Sequence, residues 1–366
     1  MSVDWHDLEH DWEVAALLVS PHSCDSIIGE LRGVESSGCN VTEGYYVDTR
    51  VSAQVTTVVP TGTSDGYIKN ARVRIVLRVP RWGWERELIT GFVTDIHPTE
   101  QHGMVRRVYS LDSSLWGISE DALTSKVTCA AGSKALTVCR KLLKDRGIEY
   151  DDSGAQDRTI AKVTVYEPAT MLLNMMFDLT SGASRVGVSG HGPITFRKYV
   201  EPSKRTPSVV IDPDDRRTLV VGDISENDDT WELPGAAIVT ASVSKSQTVN
   251  GKSTTTHETR AGVYQAPNSH VASRNNRGYL RFVKDTYAGS KEEPSNAELE
   301  TAAREKWNAN QDKGRSWDLT VLYMDLHEGD MVTLVRPDGR HKCLVQTVDT
   351  NLDARSRTQR LTLKKV

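Results

Sequence analysis

"LITGFVTDIHPTEQHGMVRRVYSL", residues 88–111, reads as a strand, a connecting stretch and a second strand. Just upstream, "ARVRIVLRV" (residues 71–79) alternates Val73, Ile75, Leu77 and Val79 with Arg72, Arg74, Val76 and Arg78. That period of two predicts a half-buried strand, apolar on one face and basic on the other. Pro80 and Gly83 then punctuate "VPRWGWERELITGF" and predict a hairpin reversal. Far downstream, "GDMVTLVRPDGRHKCLVQTV" turns at Pro337, Asp338 and Gly339 and continues into "QRLTL". Fifteen residues separate Ile96 from Leu111, and fifteen again separate Val348 from Leu363. The chain therefore states one strand order and spacing twice, with few residue identities between the copies. Three copies of such a chain present six quasi-equivalent β-units, which lets a trimer meet a six-fold partner without a symmetry clash.

"YYVDTRVSAQVTTVVP" adds a further β-branched stretch upstream, so the first part of the chain reads as a small antiparallel sheet or barrel. The middle changes character. "AAGSKALTVCRKLLKDRG" offers Ser133 as an N-cap, Ala135, Leu136, Cys139, Leu142 and Leu143 at helical spacing, and Gly147 as a stop. In "EPATMLLNMMFDLTSG", Pro168 is expected in the first helical turn, and Met171, Leu172, Met175, Met176 and Leu179 form a core stripe. Strand signals return after Thr195, followed by a Ser/Thr/Asn-rich stretch from Asn250 to Asn276 expected as a long loop or extended hairpin. Ser295 and Glu298 form a capping box ahead of a third helix carrying Leu299, Ala302, Ala303 and Trp307.

The chain has 366 residues, of which 38% are hydrophobic and 26% charged, enough for two to four domains with real cores. No long apolar run is present, and the polar, acidic start "MSVDWHDLEHDWEV" lacks the basic and apolar regions of a signal peptide, so neither secretion by that route nor a membrane span is expected. Five scattered cysteines without a C-x-x-C pair indicate neither a disulfide framework nor a structural zinc site, and point to a reducing compartment during folding. The 45 basic and 49 acidic residues nearly cancel, so the charge balance does not mark general nucleic-acid binding.

The order of elements resembles the baseplate hub proteins of tailed bacteriophages, the late control protein D family and its relatives in contractile injection systems. The segments that carry the likeness are "ELITGFVTDIHP", "GSKALTVCRKLL", "ATMLLNMMFDL" followed by "GPITFRKYVEP", then "WELPGAAIVTASV", "NAELETAAREKW" and "LHEGDMVTLVRP". The N-terminal thirty residues match nothing in that layout, and "SVSKSQTVNGKSTTTHETRAG" is longer than it expects.

The resemblance implies an α+β, β-rich fold: two tail-tube-like antiparallel β-barrel domains with an inserted α/β region between them. The implied domains are residues 1–118 with an N-terminal extension, a middle α/β domain at 119–200, and a second tube-like domain at 201–366 holding a loop or hairpin near 245–290 and a helix at 295–310. It further implies a non-enzymatic homotrimer at the virion tail tip or baseplate, assembled in the host bacterial cytoplasm. Its partners are expected to be a tail-tube or distal-tail protein, a tail spike, fibre or tip protein, and the tape-measure protein, with transient passage of DNA. No cofactor is expected.

Several motifs invite chemistry. "DWHDLEHDW" places His6 and His10 on one helix face beside Asp7 and Asp11, but lacks the glutamate of a hydrolase signature, and a docking role for Trp5, Leu8 and Trp12 fits it better. "VGVSGHGP" holds Ser189, yet His191 stands where a nucleophile elbow needs glycine, so Gly187, Gly190 and Gly192 are expected to serve turns. "DPDDRRTLVVGD" opens like a calcium loop with Asp212 and Asp214, but Arg217 and Asp223 replace its glycine and glutamate. Arg72, Arg74 and Arg78, with Arg81 and Arg86 nearby, are expected as a solvated face or as a subunit interface. Two other classes remain open at this stage: a tail-associated cell-wall hydrolase, which needs paired carboxylates or an activated nucleophile, and a carbohydrate-binding tail-tip protein using some of the eight tryptophans.

Overall fold

Alternating β-branched and apolar residues build seven strands before the first helix: β1 (Glu13–Val19), β2 (Ile27–Glu30), β3 (Val34–Gly44), β4 (Val51–Pro60), β5 (Arg72–Val79), β6 (Trp84–Gln101) and β7 (Met104–Ser113). The computed structural model describes residues 12–45, 50–63, 71–215, 220–228, 231, 233–249, 252–287, 294–310, 315–353 and 357–366. The chain divides into two units, one of residues 1–224 with 319–363, the other of 225–318 with 364–366.

In the first unit β5, β6 and β7 form an antiparallel meander, with Ile75 opposite Ile89 and Ile96 opposite Tyr109. The tight reversal between β6 and β7 places His102 and Gly103 at φ 50° and 73°, a left-handed pair that a two-residue hairpin loop requires. Near the C-terminus β19 (Met331–Arg336), β20 (Gly339–Asn351) and β21 (Thr358–Lys365) repeat the order, β20 again lying between its neighbours in sequence. The two meanders share one sheet, because β20 pairs with β3, β3 with β4, and β4 with β7. The sheet path runs open to β2, and β13 (Val209–Ile211) adds a parallel strand beside β19. Among the described residues the strand pairing does not close into a barrel. Large antiparallel sheets dominate, as the periodicity predicts.

The core of this sheet is fully buried Val55, Val73, Ile75, Tyr109 and Leu111, with Tyr323 and Leu352 from the last third of the chain packed into the same cluster. The expected half-burial of β5 does not hold. Its burial is nearly continuous, since Arg72 is only 8% and Arg74 only 3% exposed on the face predicted to be solvated.

Between the β regions lie α1 (Ser114–Ser119), β8 (Val127–Cys129), α2 (Ala135–Lys144), β9 (Tyr150–Gly154), β10 (Thr164–Tyr166), α3 (Leu172–Thr180), β11 (Ser184–Val188) and β12 (Ile194–Lys198). Their core joins Leu136, Cys139 and Leu143 of α2 to Leu172, Met175, Met176 and Leu179 of α3 under Phe196 of β12. Each such side chain contributes about 2 kcal/mol by burial. Ser133 is not the α2 cap. Lys134 holds that position, and the free Leu136 N–H is taken by Asp157 Oδ1 at 3.0 Å, a partner 21 positions away. Gly147 at φ 66° stops the segment as predicted. Pro168 likewise lies before α3, in a turn closed by Thr170 N to Glu167 O, because the helix starts only at Leu172. All five cysteines are buried free thiols.

The second unit contains β14 (Ser225–Asp228), the long antiparallel pair β15 (Ala236–Val249) and β16 (Lys252–Gln265), α4 (Arg274–Arg277), β17 (Phe282–Thr286) and α5 (Asn296–Ala309). The Ser/Thr-rich stretch thus runs as hairpin arms. α5 buries Leu299, Ala303 and Trp307 against Ala237, Val239 and Ala241, and the Trp307 indole donates to Pro234 O at 2.8 Å. The Ser295–Glu298 capping box is present in both directions. β18 (Arg315–Leu322) starts in this unit, pairing with β14, and ends in the first. Among the described residues no helix is long and apolar enough to cross a membrane.

Candidate functional site

The predicted arginine face is an internal bracket. Arg74 Nε donates to Thr90 Oγ1 at 2.8 Å, its Nη1 pairs with Glu87 Oε1 at 2.8 Å, and its Nη2 reaches the carbonyls of Cys24 and His191. Arg72 donates to Cys24 Sγ at 2.9 Å and Pro21 O at 3.1 Å, and stands 4.9 Å from the centroid of Phe92. A guanidinium offers five donors in a plane, so two neighbouring arginines on one strand face can hold several carbonyls at once. What they hold is the connection between β1 and β2 on one side and the loop before β12 on the other. Arg78 differs: its side chain is 29% exposed and pairs with Glu85 at 2.9 Å.

That loop is the glycine-rich "VGVSGHGP". A Cβ on Gly190 would lie 1.9 Å from Glu87 O, and Gly192 sits at φ 117° against Cys24 Sγ. These glycines permit close backbone approach as well as turning. His191 bridges two carboxylates, Nδ1 2.8 Å from Glu87 and Nε2 2.7 Å from Asp25, while Ser189 Oγ accepts from Gly192 N at 3.2 Å. Beneath, Cys24 is kept a thiol: burial and its hydrogen bond to Glu149 push it up to about 12. Burial also pushes the Glu149 carboxyl upward, but hydrogen bonds from Cys24 and Ser23 and the charge of Arg72 leave it below its ordinary value.

A second polar cluster joins the two meanders, and sequence reasoning missed it. The segment before β19 carries Asp325, His327, Glu328 and Asp330. His327 Nδ1 lies 2.9 Å from Glu43 Oε1 of β3, and Glu328 N donates to Glu43 Oε2 at 3.1 Å. Glu328 pairs with Arg185 of β11, whose guanidinium stands 4.0 Å from the Tyr45 ring centroid. Arg205 donates to Gly329 O at 2.9 Å. Burial pushes the His327 imidazole down, yet hydrogen bonds and charge from Asp325 and Glu43 prevail and raise it to about 10. Arg86 Nη2 at 2.6 Å from Nε2 opposes this, but Arg86 is itself paired with Asp325 at 3.3 Å, so the net direction is upward. Burial likewise raises the Glu328 and Asp330 carboxyls. "LHEGD" showed acidic residues beside a histidine, but nothing in it points to Glu43, 284 positions away.

Of the predicted docking segment, Trp12 packs on its own chain. Its ring meets Trp84 edge-on at 6.0 Å and Tyr323 at 5.1 Å, with the Arg357 guanidinium 5.4 Å away. Trp5, Leu8, His6 and His10 lie outside the described residues, as does Arg217. Asp212 and Asp214 form an Asx turn, Asp214 N donating to Asp212 Oδ1 at 3.1 Å. Among the described residues no three His, Cys, Asp or Glu side chains converge as metal ligands.

Neither a family model nor a curated protein matches the chain. Solved structures do match over nearly all of it. A tail protein from Neisseria meningitidis superposes with a TM-score of 0.68 at 11% identity, covering 97% of both chains. The chain has the fold of a bacteriophage tail protein. The 43 kDa tail protein of prophage MuSo2 from Shewanella oneidensis gives a TM-score of 0.64 at 9% identity, covering 96% of this chain and 97% of that one. A third tail-protein fold, a type VI secretion component from E. coli described as similar to the T4 tail proteins gp27 and gp5, gives 0.51 at 9% identity, covering 91% of this chain and 73% of that one. The fold extends through both meanders, the helical middle and the second unit.

Proposed function

We propose that this chain is a structural hub protein of a phage tail or baseplate. It trimerises into a ring with pseudo-six-fold character, joins a hexameric tail tube or distal-tail ring to a trimeric tip, and encloses the channel for tape-measure protein and DNA. The observation that carries this reading is the strand order β5-β6-β7 repeated as β19-β20-β21 within one chain of tail-protein fold. Each copy then supplies two wall segments, one from residues 1–118 and one from 201–366, with 119–200 between them, and barrel-like closure is completed between copies.

The role is non-enzymatic. His191, Glu87 and Asp25 are engaged with one another, and Arg74 occupies the same carboxylate, an arrangement that fixes a loop. Arg72 and Arg74 serve assembly indirectly, by holding the turn that leads into β2, where Ile27 and Ile28 are 54% and 52% exposed at an open sheet edge. Arg78, Trp5 and Leu8 remain the direct interface candidates among the predicted residues, Trp12 being packed on its own chain. Native mass measurement of the purified protein tests the reading: three chains per particle are expected, and a chain that stays monomeric at all concentrations overturns it.

A further inference from the structure

The helical middle of the first unit is one backbone pattern used twice. Leu123 N donates to Thr170 O and Ile160 N to Ser133 O, both at 2.9 Å. Ala169 N donates to Leu123 O at 2.8 Å, and Gly132 N to Ile160 O at 2.9 Å. Leu172 N donates to Asp121 O at 2.9 Å, and Ala135 N to Arg158 O at 3.0 Å. Within each of these pairs the two donors, and likewise the two acceptors, stand 37 positions apart. The same offset relates the turns before α2 and α3, closed by Ser133 N to Ala130 O and by Thr170 N to Glu167 O, both at 3.2 Å. It also relates Gly132 at φ 86° to Ala169 at φ 69°, a left-handed conformation that a residue with a Cβ adopts at a cost. Across the antiparallel pair of β8 and β10, Thr128 lies opposite Val165, again its counterpart, so an approximate two-fold axis passes between them.

Packing repeats with the backbone. Leu123, Ala135, Leu136, Cys139 and Leu142 correspond to Ile160, Leu172, Leu173, Met176 and Leu179, and all are buried in one core. Of these five correspondences only the second leucine and the last keep their residue type, which hid the repeat in the sequence. The bonds are reciprocal. Residues 121–123 bracket the start of α3, and residues 158–160 bracket the start of α2, so each half completes the helix of the other. Outside the repeat, β12 lies between the two last strands, antiparallel to β11 and parallel to β9. Both halves also grip the large sheet: Glu149 before β9 accepts from Cys24 N at 2.8 Å, and Arg185 of β11 pairs with Glu328.

We propose that residues 121–154 and 158–188 are two copies of one unit that have exchanged their entry strands, and that the exchange makes the middle region a single latch. It opens as a whole, letting go of the sheet at both grips, and neither half opens alone. This holds whether or not the chain forms the ring proposed above.

Amide hydrogen exchange of the full chain, read by mass spectrometry on peptides covering α2, α3 and β20, tests the latch. In Gly132→Ala the new Cβ meets no atom within 4 Å, so the lesion is backbone strain in the first half alone. Exchange is expected to accelerate about tenfold in α3 as well as in α2, and to stay unchanged in β20. Arg158→Ala places the lesion in the second half, where its side chain holds the carbonyls of Asp178, Leu179 and Ser181 at the end of α3. There α2 is expected to accelerate together with α3. Acceleration confined to the helix of the substituted half, in either variant, overturns the proposal. So does equal acceleration in β20, which would make the opening global, or an unchanged rate in both helices of both variants.

Discussion

His327 and Glu43, 284 positions apart, meet at 2.9 Å, and that pair ties the C-terminal meander to the strand that leads into the N-terminal one. Glu43 is 7% exposed, so its carboxylate depends on this neighbour. Replacing His327 by Ala leaves a buried charge without its cation, and the expected cost is about 3 kcal/mol in chemical unfolding at neutral pH.

The same pair sets an alkaline limit. The folded His327 is raised to about 10 from an ordinary 6.5, so its contribution is complete below pH 6.5 and is lost as pH rises through 10. Glu328 and Asp330 are carboxyls raised by burial; a raised carboxyl opposes folding once ionised, and that opposition is relieved as pH falls through its folded value. Unfolding midpoints measured from pH 6 to 10.5 should therefore decline towards the alkaline end. In His327→Gln the decline should flatten.

Two arginines on one strand are expected to behave oppositely. Arg74→Ala removes bonds to Thr90, Glu87 and two carbonyls at a site 3% exposed, and should cost about 3–5 kcal/mol. Arg78→Ala removes an exposed pair and should cost less than about 1 kcal/mol. Thermal unfolding of the two variants side by side reads the contrast.

Gly190→Ala forces a Cβ to 1.9 Å from Glu87 O, backbone that cannot yield cheaply, and a loss of about 2 kcal/mol or more is expected. Ser295→Ala removes one half of the α5 capping box and should cost about 1 kcal/mol. Equal effects of the two substitutions would show that the loop before β12 is not pressed against β6.

What the sequence made legible was periodic and local. The alternation in residues 71–111, the α2 and α3 stripes, the α5 capping box and the repeated meander all follow from spacing within a few turns or strands. What it hid was long-range covering. A row of arginines between valines looks like a wet face until the Gly190–His191–Gly192 loop, more than a hundred positions on, closes over it. For the same reason Ser133 looked like a cap until Asp157 arrived to serve α2. The His327 cluster assembles from β3, β6, β11 and the segment before β19, and no window of the sequence holds two of its halves.

Electron microscopy of the purified protein, classified without imposed symmetry, tests the hub reading most directly. Closed three-fold rings with six similar lobes around an open channel are the expected result. Particles of two-fold symmetry, or of three chains with only three lobes, would contradict it.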